Sequence, residues 1–215
     1  MALIDPAALG TFLVASLVII MAPGPDFAMV VARSISGGWR VGLSTTFGFS
    51  LGVLAHTLFA AFGLSALLLT SALAFEIVKW AGAAYLIYLG IKALLERTPH
   101  VALPGQGAAP PTLRRAFWQA ALTDLLNPKV ALFFLAFLPQ FIHPERGSVV
   151  AQFLILGLLF LLVGLVWDAF LAVLAGRVGV WAARHPWFVL VQTRISGAVM
   201  LALGVRLALS RRDAV

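Results

Sequence analysis

Asp26, Asp124, Lys129 and Asp168 fall well within long apolar stretches of this 215-residue sequence. A charge inside a membrane segment costs several kcal/mol unless it is paired or hydrated, so each of these residues needs a reason. Carboxylates can bind an ammonium group, whereas a lysine and free helix N–H groups can bind a carboxylate. A cavity that holds both kinds of charge therefore suits a zwitterion such as an amino acid.

Two of these charges follow proline motifs at matching places in the two halves of the chain. Asp26 follows Ala22-Pro23-Gly24-Pro25, and Lys129 follows Leu126-Asn127-Pro128. Proline bends or splits a membrane helix and frees peptide groups that need partners in a protein-lined cavity. Paired interruptions of this kind are typical of transporter sites. We predict a substrate-binding site formed by Pro23, Gly24, Pro25, Asp26, Asn127, Pro128 and Lys129.

Asp26 and Lys129 each have a structural interpretation as well. Asp26 lies in the first turn after Pro25, where a negative charge complements the helix dipole. Lys129 lies in the same place after Pro128, where a positive charge opposes the dipole, and an ion pair with Asp124 across the break is the alternative for it. If the two prolines are aligned, Asp26 and Lys129 become symmetry mates and can face one another across one cavity.

Three further residues are candidates for proton coupling, namely Asp168, Asp124 and His56. Asp168 lies in Val166-Trp167-Asp168-Ala169, and its carboxyl group either exchanges a proton or reaches toward the membrane surface. His56 has an alternative role as a hydrogen-bonded core histidine.

The composition is that of a multi-pass membrane protein. Hydrophobic residues make up 62% of the chain, charged residues 11%, and the mean hydropathy is +1.03. The segment from Met1 to Pro6 contains no basic residue, so we predict that the first apolar stretch is a span and not a cleaved signal. The net charge of +7 comes largely from arginines at the ends of apolar stretches, which favours membrane topology and anionic lipid over nucleic acid as its explanation.

Cysteine is absent from the sequence, which excludes disulfides, thiol chemistry and thiolate metal sites. The four histidines are scattered and offer no metal-binding spacing. We therefore predict no metal site and no cofactor.

Six apolar stretches are long enough to cross a membrane. They cover approximately residues 7–34, 41–69, 74–95, 117–142, 149–176 and 189–210. A segment rich in proline and glycine, Thr98 to Pro111, separates the third from the fourth and predicts a flexible linker. We predict a first three-helix unit over 1–96, a linker over 97–116 and a second unit over 117–215, together forming one transmembrane domain.

The two units resemble each other beyond the proline motifs. Gly82-Ala83 and Gly90 of the third stretch correspond to Gly197-Ala198 and Gly204 of the sixth. Chance recurrence of small residues in membrane helices is the alternative. A repeat of three spans inserts its second copy upside down. We therefore predict an all-α integral membrane protein of six transmembrane helices in two inverted three-helix repeats, with helices 1 and 4 broken at the proline motifs.

Basic residues favour one orientation of the chain. They concentrate in the connections after the first, third and fifth stretches, which predicts that these connections are cytoplasmic and that both termini are periplasmic or extracellular. Arg206, Arg211 and Arg212 lie on the opposite side and contradict this rule.

The motifs together resemble a known family. Ala22-Pro23-Gly24-Pro25, the glycines of the second and third stretches, and Thr123-Asp124-Leu125-Leu126-Asn127-Pro128-Lys129 resemble the LysE/RhtB family of bacterial amino-acid exporters. The resemblance covers nearly the whole chain. It implies a six-span inner-membrane protein that expels lysine, arginine, homoserine, threonine or a related metabolite.

The function predicted from these observations is secondary active export of an amino acid or a related small amphoteric metabolite. Proton coupling is expected because the chain lacks a nucleotide-binding loop. Export of a divalent metal or another inorganic cation is the alternative. An enzyme or thiol carrier is not expected, because the sequence offers neither a nucleophile with its base nor a cysteine. The expected partners are the substrate and membrane lipid, and a homo-oligomer is left open.

Overall fold

The structure is a computed structural model that describes residues 3–22, 24–66, 72–97, 109–184 and 186–209. These residues are almost entirely helical, and they include no strand. The helices are α1 (Pro6–Met21), α2 (Pro25–Gly37), α3 (Trp39–Leu58), α4 (Ala72–Leu95), α5 (Leu113–Leu125), α6 (Pro128–Leu132), α7 (Val149–Arg184) and α8 (Pro186–Leu209). A π-helical segment, Phe59–Leu64, extends α3. Helix α6 continues through a π-helical segment, Phe133–Phe137, and a 3-10 segment, Leu138–Phe141, and a 3-10 turn, Pro144–Arg146, precedes α7.

Between four and six membrane spans can be recognised among these helices. Four single helical segments are long and apolar enough to cross a bilayer, and they are Trp39–Leu64, Glu76–Leu95, Val149–Ala175 and Leu190–Leu209. Two helix pairs meet the same criterion when taken together. One pair is α1 and α2, bent by 53°. The other is α5 and the segment Pro128–Phe141, called the α6 segment below, bent by 45°. The number of spans is six if each bent pair is one span. Every apolar stretch of the sequence coincides with one of these helices or pairs.

The helix starts follow local chemistry. Asp5 accepts a hydrogen bond from the Ala8 N–H at 3.3 Å and caps α1. Thr112 does the same for the Arg115 N–H at 3.3 Å and caps α5, which begins at Leu113, four residues before the boundary at 117 that the sequence suggests. Helices α1, α2 and α6 begin with proline, whose missing N–H is no loss at a helix start. Most of the proposed linker, residues 98–108, lies outside the described residues.

Glycines allow the closest helix contacts. Helix α3 packs against α5, and an added Cβ at Gly48 or Gly52 would collide with α5. Helix α4 packs against α8 in the same way, because a Cβ at Gly90 would lie 2.7 Å from the Leu201 nitrogen. Helix α7 contacts both α3 and α2. The result is an inner group formed by α1, α2, α3, α5, α6 and α7, with the α4 and α8 pair beside it.

A cluster of buried phenylalanines holds the α6 segment in place. The rings of Phe133 and Phe160 lie 4.6 Å apart, which joins the segment to α7. The rings of Phe12 and Phe141 lie 5.4 Å apart, which joins it to α1. All four side chains are buried. Helix α6 itself has only five residues, so tertiary packing and not helix propensity determines where it lies.

Large apolar side chains also cover the outside of the helices. Phe59, Phe62, Trp80, Leu126 and Val166 are each more than half exposed. In water such a surface would be an interaction site or an aggregation hazard, whereas lipid solvates it at no cost. The exposed residues therefore agree with the helix lengths in indicating a membrane protein.

Candidate functional site

The two charges that follow the proline motifs meet in the structure. Lys129 Nζ lies 3.8 Å from Asp26 Oδ2, and the two side chains are 12% and 16% exposed. Asp26 is in the first turn of α2 and Lys129 in the first turn of α6. The ion pair therefore connects two helix starts from opposite halves of the chain. Among the described carboxylates, the one that Lys129 pairs with is Asp26 and not Asp124.

Asn127 links the same two helix starts through its side-chain amide. Its Oδ1 accepts a hydrogen bond from the Lys129 N–H at 3.0 Å and so caps α6. Its Nδ2 donates to Asp26 Oδ2 at 2.9 Å and lies 3.1 Å from Oδ1. The side chain is buried, and both ends of its amide are engaged. Asn127 therefore positions the two charges in this conformation.

The ammonium group of Lys129 fits closely against the end of α1 and the start of α2. Its Nζ lies 3.4 Å from the carbonyl oxygen of Ile19, which it can reach as a donor. A Cβ added to Gly24 would lie 3.3 Å from the same nitrogen, closer than nearly all Cβ contacts. Gly24 thus leaves room for the lysine. Pro25 and Pro128 begin α2 and α6, while Pro23 lies outside the described residues.

A small cavity opens beside this ion pair. The cavity has a volume of about 40 Å³, which is enough for a few water molecules at about 10–15 Å³ each. Ligand pockets in proteins are about 300–1,000 Å³, so the cavity in this conformation is far smaller than a typical ligand pocket. The cavity is lined by Ile19, Ile20, Asp26, Phe49, Ser50, Val53, Asp124, Lys129, Val130, Phe160, Leu161, Gly164, Leu165 and Asp168.

The cavity brings together the four charged residues of the sequence prediction. Asp26 and Lys129 contribute from the two helix starts, Asp124 from the last turn of α5, and Asp168 from α7. Asp124 is 2% exposed, and its Oδ2 has no hydrogen-bond partner among the described residues. A buried polar atom without a hydrogen-bond partner is costly, so this oxygen can accept a hydrogen bond from a group that enters the cavity.

Gly52 explains how Asp124 fits against α3. A Cβ on Gly52 would lie 2.5 Å from Asp124 Oδ2 and 2.7 Å from Asp124 Cβ. The backbone of α3 therefore forms the wall behind the carboxyl group. The spacing of Gly48 and Gly52 suggests close packing from sequence alone, but it does not identify Asp124 as the neighbour.

His56 lies behind the cavity wall and is not among the lining residues. Its Nε2 is 3.2 Å from the Asp124 carbonyl oxygen, and its ring stacks on Phe134 with a centroid distance of 5.8 Å. The same carbonyl accepts the Asn127 N–H at 2.9 Å. His56 can therefore hold the backbone at the end of α5, at the point where the chain turns into α6.

Sequence reasoning missed the apolar side of the cavity. Phe49 and Val53 of α3 and Phe160 and Gly164 of α7 contribute to this wall, and Ser50 adds a hydroxyl group. Ser50 donates its hydroxyl to the Thr46 carbonyl at 3.1 Å. These residues lie in long apolar helices, where no motif distinguishes a cavity-facing side chain from a core or lipid-facing one.

One contact at the first break was also missed. Gln192 of α8 donates from Nε2 to the Met21 carbonyl oxygen at 2.7 Å. Met21 is the last residue of α1, so this carbonyl is one of those that a helix end leaves without an internal partner. A glutamine at this position in α8 suggests a polar contact, but the sequence does not indicate where its partner lies.

Comparison with known proteins gives a consistent result. The model of a family described as LysE type translocator matches residues 17–211. A homoserine/homoserine lactone efflux protein of Salmonella typhimurium is 34% identical over 203 residues, covering 93% of this chain and 95% of that protein. An uncharacterised membrane protein of Vibrio cholerae is 31% identical over 201 residues, covering 93% and 96% of the two chains. No solved structure matches the chain.

Proposed function

The chain belongs to the LysE type translocator family, and we propose that it exports an amino acid or a related small amphoteric metabolite as a secondary transporter. The observation that carries this proposal is the cavity in which Asp26 and Lys129 lie 3.8 Å apart, with Asp124 and Asp168 on its walls. The carboxylates can receive the ammonium group of a substrate. Lys129 and the nearby helix starts can receive its carboxylate.

The relatives support the same class of substrate. The Salmonella typhimurium protein carries the name homoserine/homoserine lactone efflux protein, and the alignment covers almost all of both chains. Export of a divalent cation fits the site less well, because the ammonium group of Lys129 lies among the carboxylates that would hold the metal.

An inverted repeat of three plus three spans accounts for the position of the site. In α4 and α8, a Cβ on Gly90 would lie 2.8 Å from the Gly197 carbonyl oxygen, and a Cβ on Gly204 would lie 3.0 Å from the Ala83 carbonyl oxygen. Gly90 corresponds to Gly204 in the repeat, and Gly82-Ala83 corresponds to Gly197-Ala198. The contacts are thus reciprocal, as they are across a two-fold axis. In this proposal the same axis relates the two bent helix pairs, and Asp26 and Lys129 are symmetry mates beside it.

Proton coupling is part of the proposal, with Asp168 and Asp124 as the groups that carry the proton. Both line the cavity, and Asp124 has an oxygen atom with no partner among the described residues. A carboxyl group in this setting can exchange a proton with the cavity when the site opens. His56 is the less favoured candidate, because Asp124 backbone and Phe134 occupy its surroundings.

The proposed location is the bacterial inner membrane, with both termini outside and the segment between α4 and α5 in the cytoplasm. The basic residues around this segment support the orientation. The chain has no cysteine, so a single cysteine introduced at the exposed Ala109, before the start of α5, is a clean probe. Impermeant maleimide should label it in inverted vesicles and not in intact cells, and the opposite pattern would reverse the orientation.

The function itself is tested with purified protein in liposomes. Separate liposome samples are preloaded with L-homoserine, L-threonine, L-lysine or L-alanine. At least one of the four compounds should exchange with labelled compound outside, and the same compound should raise the melting temperature of the detergent-solubilised protein. Lys129→Ala protein is the matched control for the binding site. Stabilisation by divalent cations alone, without exchange of any amino acid, would instead favour the metal exporter.

A further inference from the structure

One face of α7 carries a regular series of three residues that all line the cavity. Phe160, Gly164 and Asp168 are each four residues apart, so their side-chain positions lie one above another on the helix. At about 1.5 Å per residue, Asp168 and Phe160 are about 12 Å apart along the axis, with Gly164 midway. The series therefore has a carboxylate at one end, an aromatic ring at the other and a glycine in the middle, while Leu161 and Leu165 line the cavity beside it.

The missing side chain at Gly164 is not required by helix packing. A Cβ built there would meet only Ile20 Cδ1 of α1, at 3.8 Å, which is an ordinary contact distance. Gly157, two turns earlier on the same helix, is different, since its Cβ would lie 2.9 Å from Thr57 Cβ. Gly157 is a close-packing glycine of the kind common between membrane helices. Gly164 instead leaves part of the cavity wall unfilled.

The position of this gap relates it to a bound substrate. Gly164 is four residues, about 6 Å along the helix axis, from Asp168. An ammonium group held by a carboxylate of the cavity places the carbon atoms next to it within that distance. Around the gap the wall is apolar, formed by Ile20, Phe160 and Leu161. This is the part of the cavity where the side chain of an amino acid can lie.

We propose that Gly164 and Ile20 together set the upper limit of side-chain length for the transported amino acid, and that the substrates have short, apolar or weakly polar side chains. The inference rests on the proposed function and adds the residues that determine specificity. Gly164 supplies the space on α7, and Ile20 Cδ1 closes it from α1. A long cationic side chain that entered this part of the cavity would place its charge against Ile20, Phe160, Leu161 and Leu165, whose side chains offer it no polar partner.

The test uses a series of probes that differ by one methylene group at a time: L-alanine, L-2-aminobutyrate, L-norvaline and L-norleucine. Exchange of each probe is measured in liposomes for the unaltered protein and for Gly164→Ala. We expect Gly164→Ala to lower the rate for the longest transported probe by about tenfold or more relative to L-alanine, since one methylene group changes discrimination by about 10- to 200-fold. L-alanine itself should be exchanged at a similar rate.

Three further variants make the result specific. Gly10→Ala is the matched control, because a Cβ at Gly10 of α1 meets nothing within 4 Å and Gly10 does not line the cavity. It should leave the length profile unchanged. The double variant Gly164→Ala with Ile20→Val removes the methyl group opposite the new one and should restore exchange of the longer probe. If Gly164→Ala does not reach the membrane, Ile20→Phe narrows the same space from α1 and should produce the same shift.

The outcomes separate this inference from the function on which it rests. An unchanged length profile in Gly164→Ala overturns the inference alone, and so does an equal loss for all probes that Ile20→Val does not correct. Absence of exchange for every amino acid by the unaltered protein overturns the proposed function, and this inference with it.

Discussion

Asn127 offers the most direct test of how the two helix starts are joined. Replacing it with alanine removes the cap of α6 and the donor to Asp26 in one step. Loss of a side-chain N-cap costs about 1 kcal/mol. Loss of a hydrogen bond to a charged group costs about 1.5–3 kcal/mol. The expected destabilisation of Asn127→Ala is therefore about 2.5–4 kcal/mol as the sum of these two effects.

Serine at the same position separates the two contributions. Asn127→Ser keeps an oxygen that can cap α6, but the shorter side chain does not provide the amide donor that reaches Asp26. It should lose only the second contribution, about 1.5–3 kcal/mol. Ser36→Ala is a suitable control, because its hydroxyl makes an exposed hydrogen bond and its loss should stay within about 0.5 kcal/mol.

The assay is equilibrium unfolding of the purified protein in detergent micelles, followed by circular dichroism, with exchange measured in parallel in liposomes. The expected order of stability is unaltered protein, then Asn127→Ser, then Asn127→Ala. If Asn127→Ala is as stable as the unaltered protein, the bridge between α2 and α6 contributes nothing. If serine restores full stability, the cap matters and the bond to Asp26 does not.

Further substitutions test the remaining parts of the site. Lys129→Ala or Asp26→Ala should abolish export at normal membrane abundance, because removing one partner of a buried pair leaves the other charge unpaired. The charge swap, Asp26→Lys with Lys129→Asp, should restore folding without restoring transport. Normal export by either single variant would show that the ion pair is peripheral to transport. Asp168→Asn should retain exchange of substrate for substrate but lose accumulation driven by a proton gradient. Counterflow measures the first activity and gradient-driven uptake the second, each at two pH values. Retention of both activities would exclude Asp168 as the coupling group. Gly52→Ala should displace Asp124 and lower stability by about 1–3 kcal/mol in the same unfolding assay, whereas an unchanged stability would show that the carboxyl group moves freely.

The sequence was informative about the spans because apolar length is a strong signal. Each predicted stretch coincides with a helix or a bent helix pair, although α7 extends to Arg184, eight residues beyond the predicted end. Helix ends were harder to place, since an apolar helix can continue past the membrane without any change of pattern. The inverted relation of the two halves and the assignment of the termini to the outside stay predictions.

The site was partly accessible from sequence for a different reason. Aligning the two prolines makes Asp26 and Lys129 equivalent, and the structure places their side chains 3.8 Å apart. No motif or internal alignment identifies Gly164 or Ile20 in the same way, because they resemble many other small and apolar residues in membrane helices. The two-sided role of Asn127 also depends on the distance between the two helix starts, which a linear motif does not contain.

The pairing of Asp26 with Lys129 has a consequence for the empty transporter. The Lys129 ammonium group lies beside Asp26, at the place that a substrate ammonium group would take on the proposed function. An unloaded carrier whose central carboxylate is neutralised by its own chain can return to the inward-facing side without exposing that charge to hydrocarbon. On the proposed function, the protein is therefore expected to complete its transport cycle without binding a counter-substrate. This behaviour suits unidirectional export better than obligatory exchange.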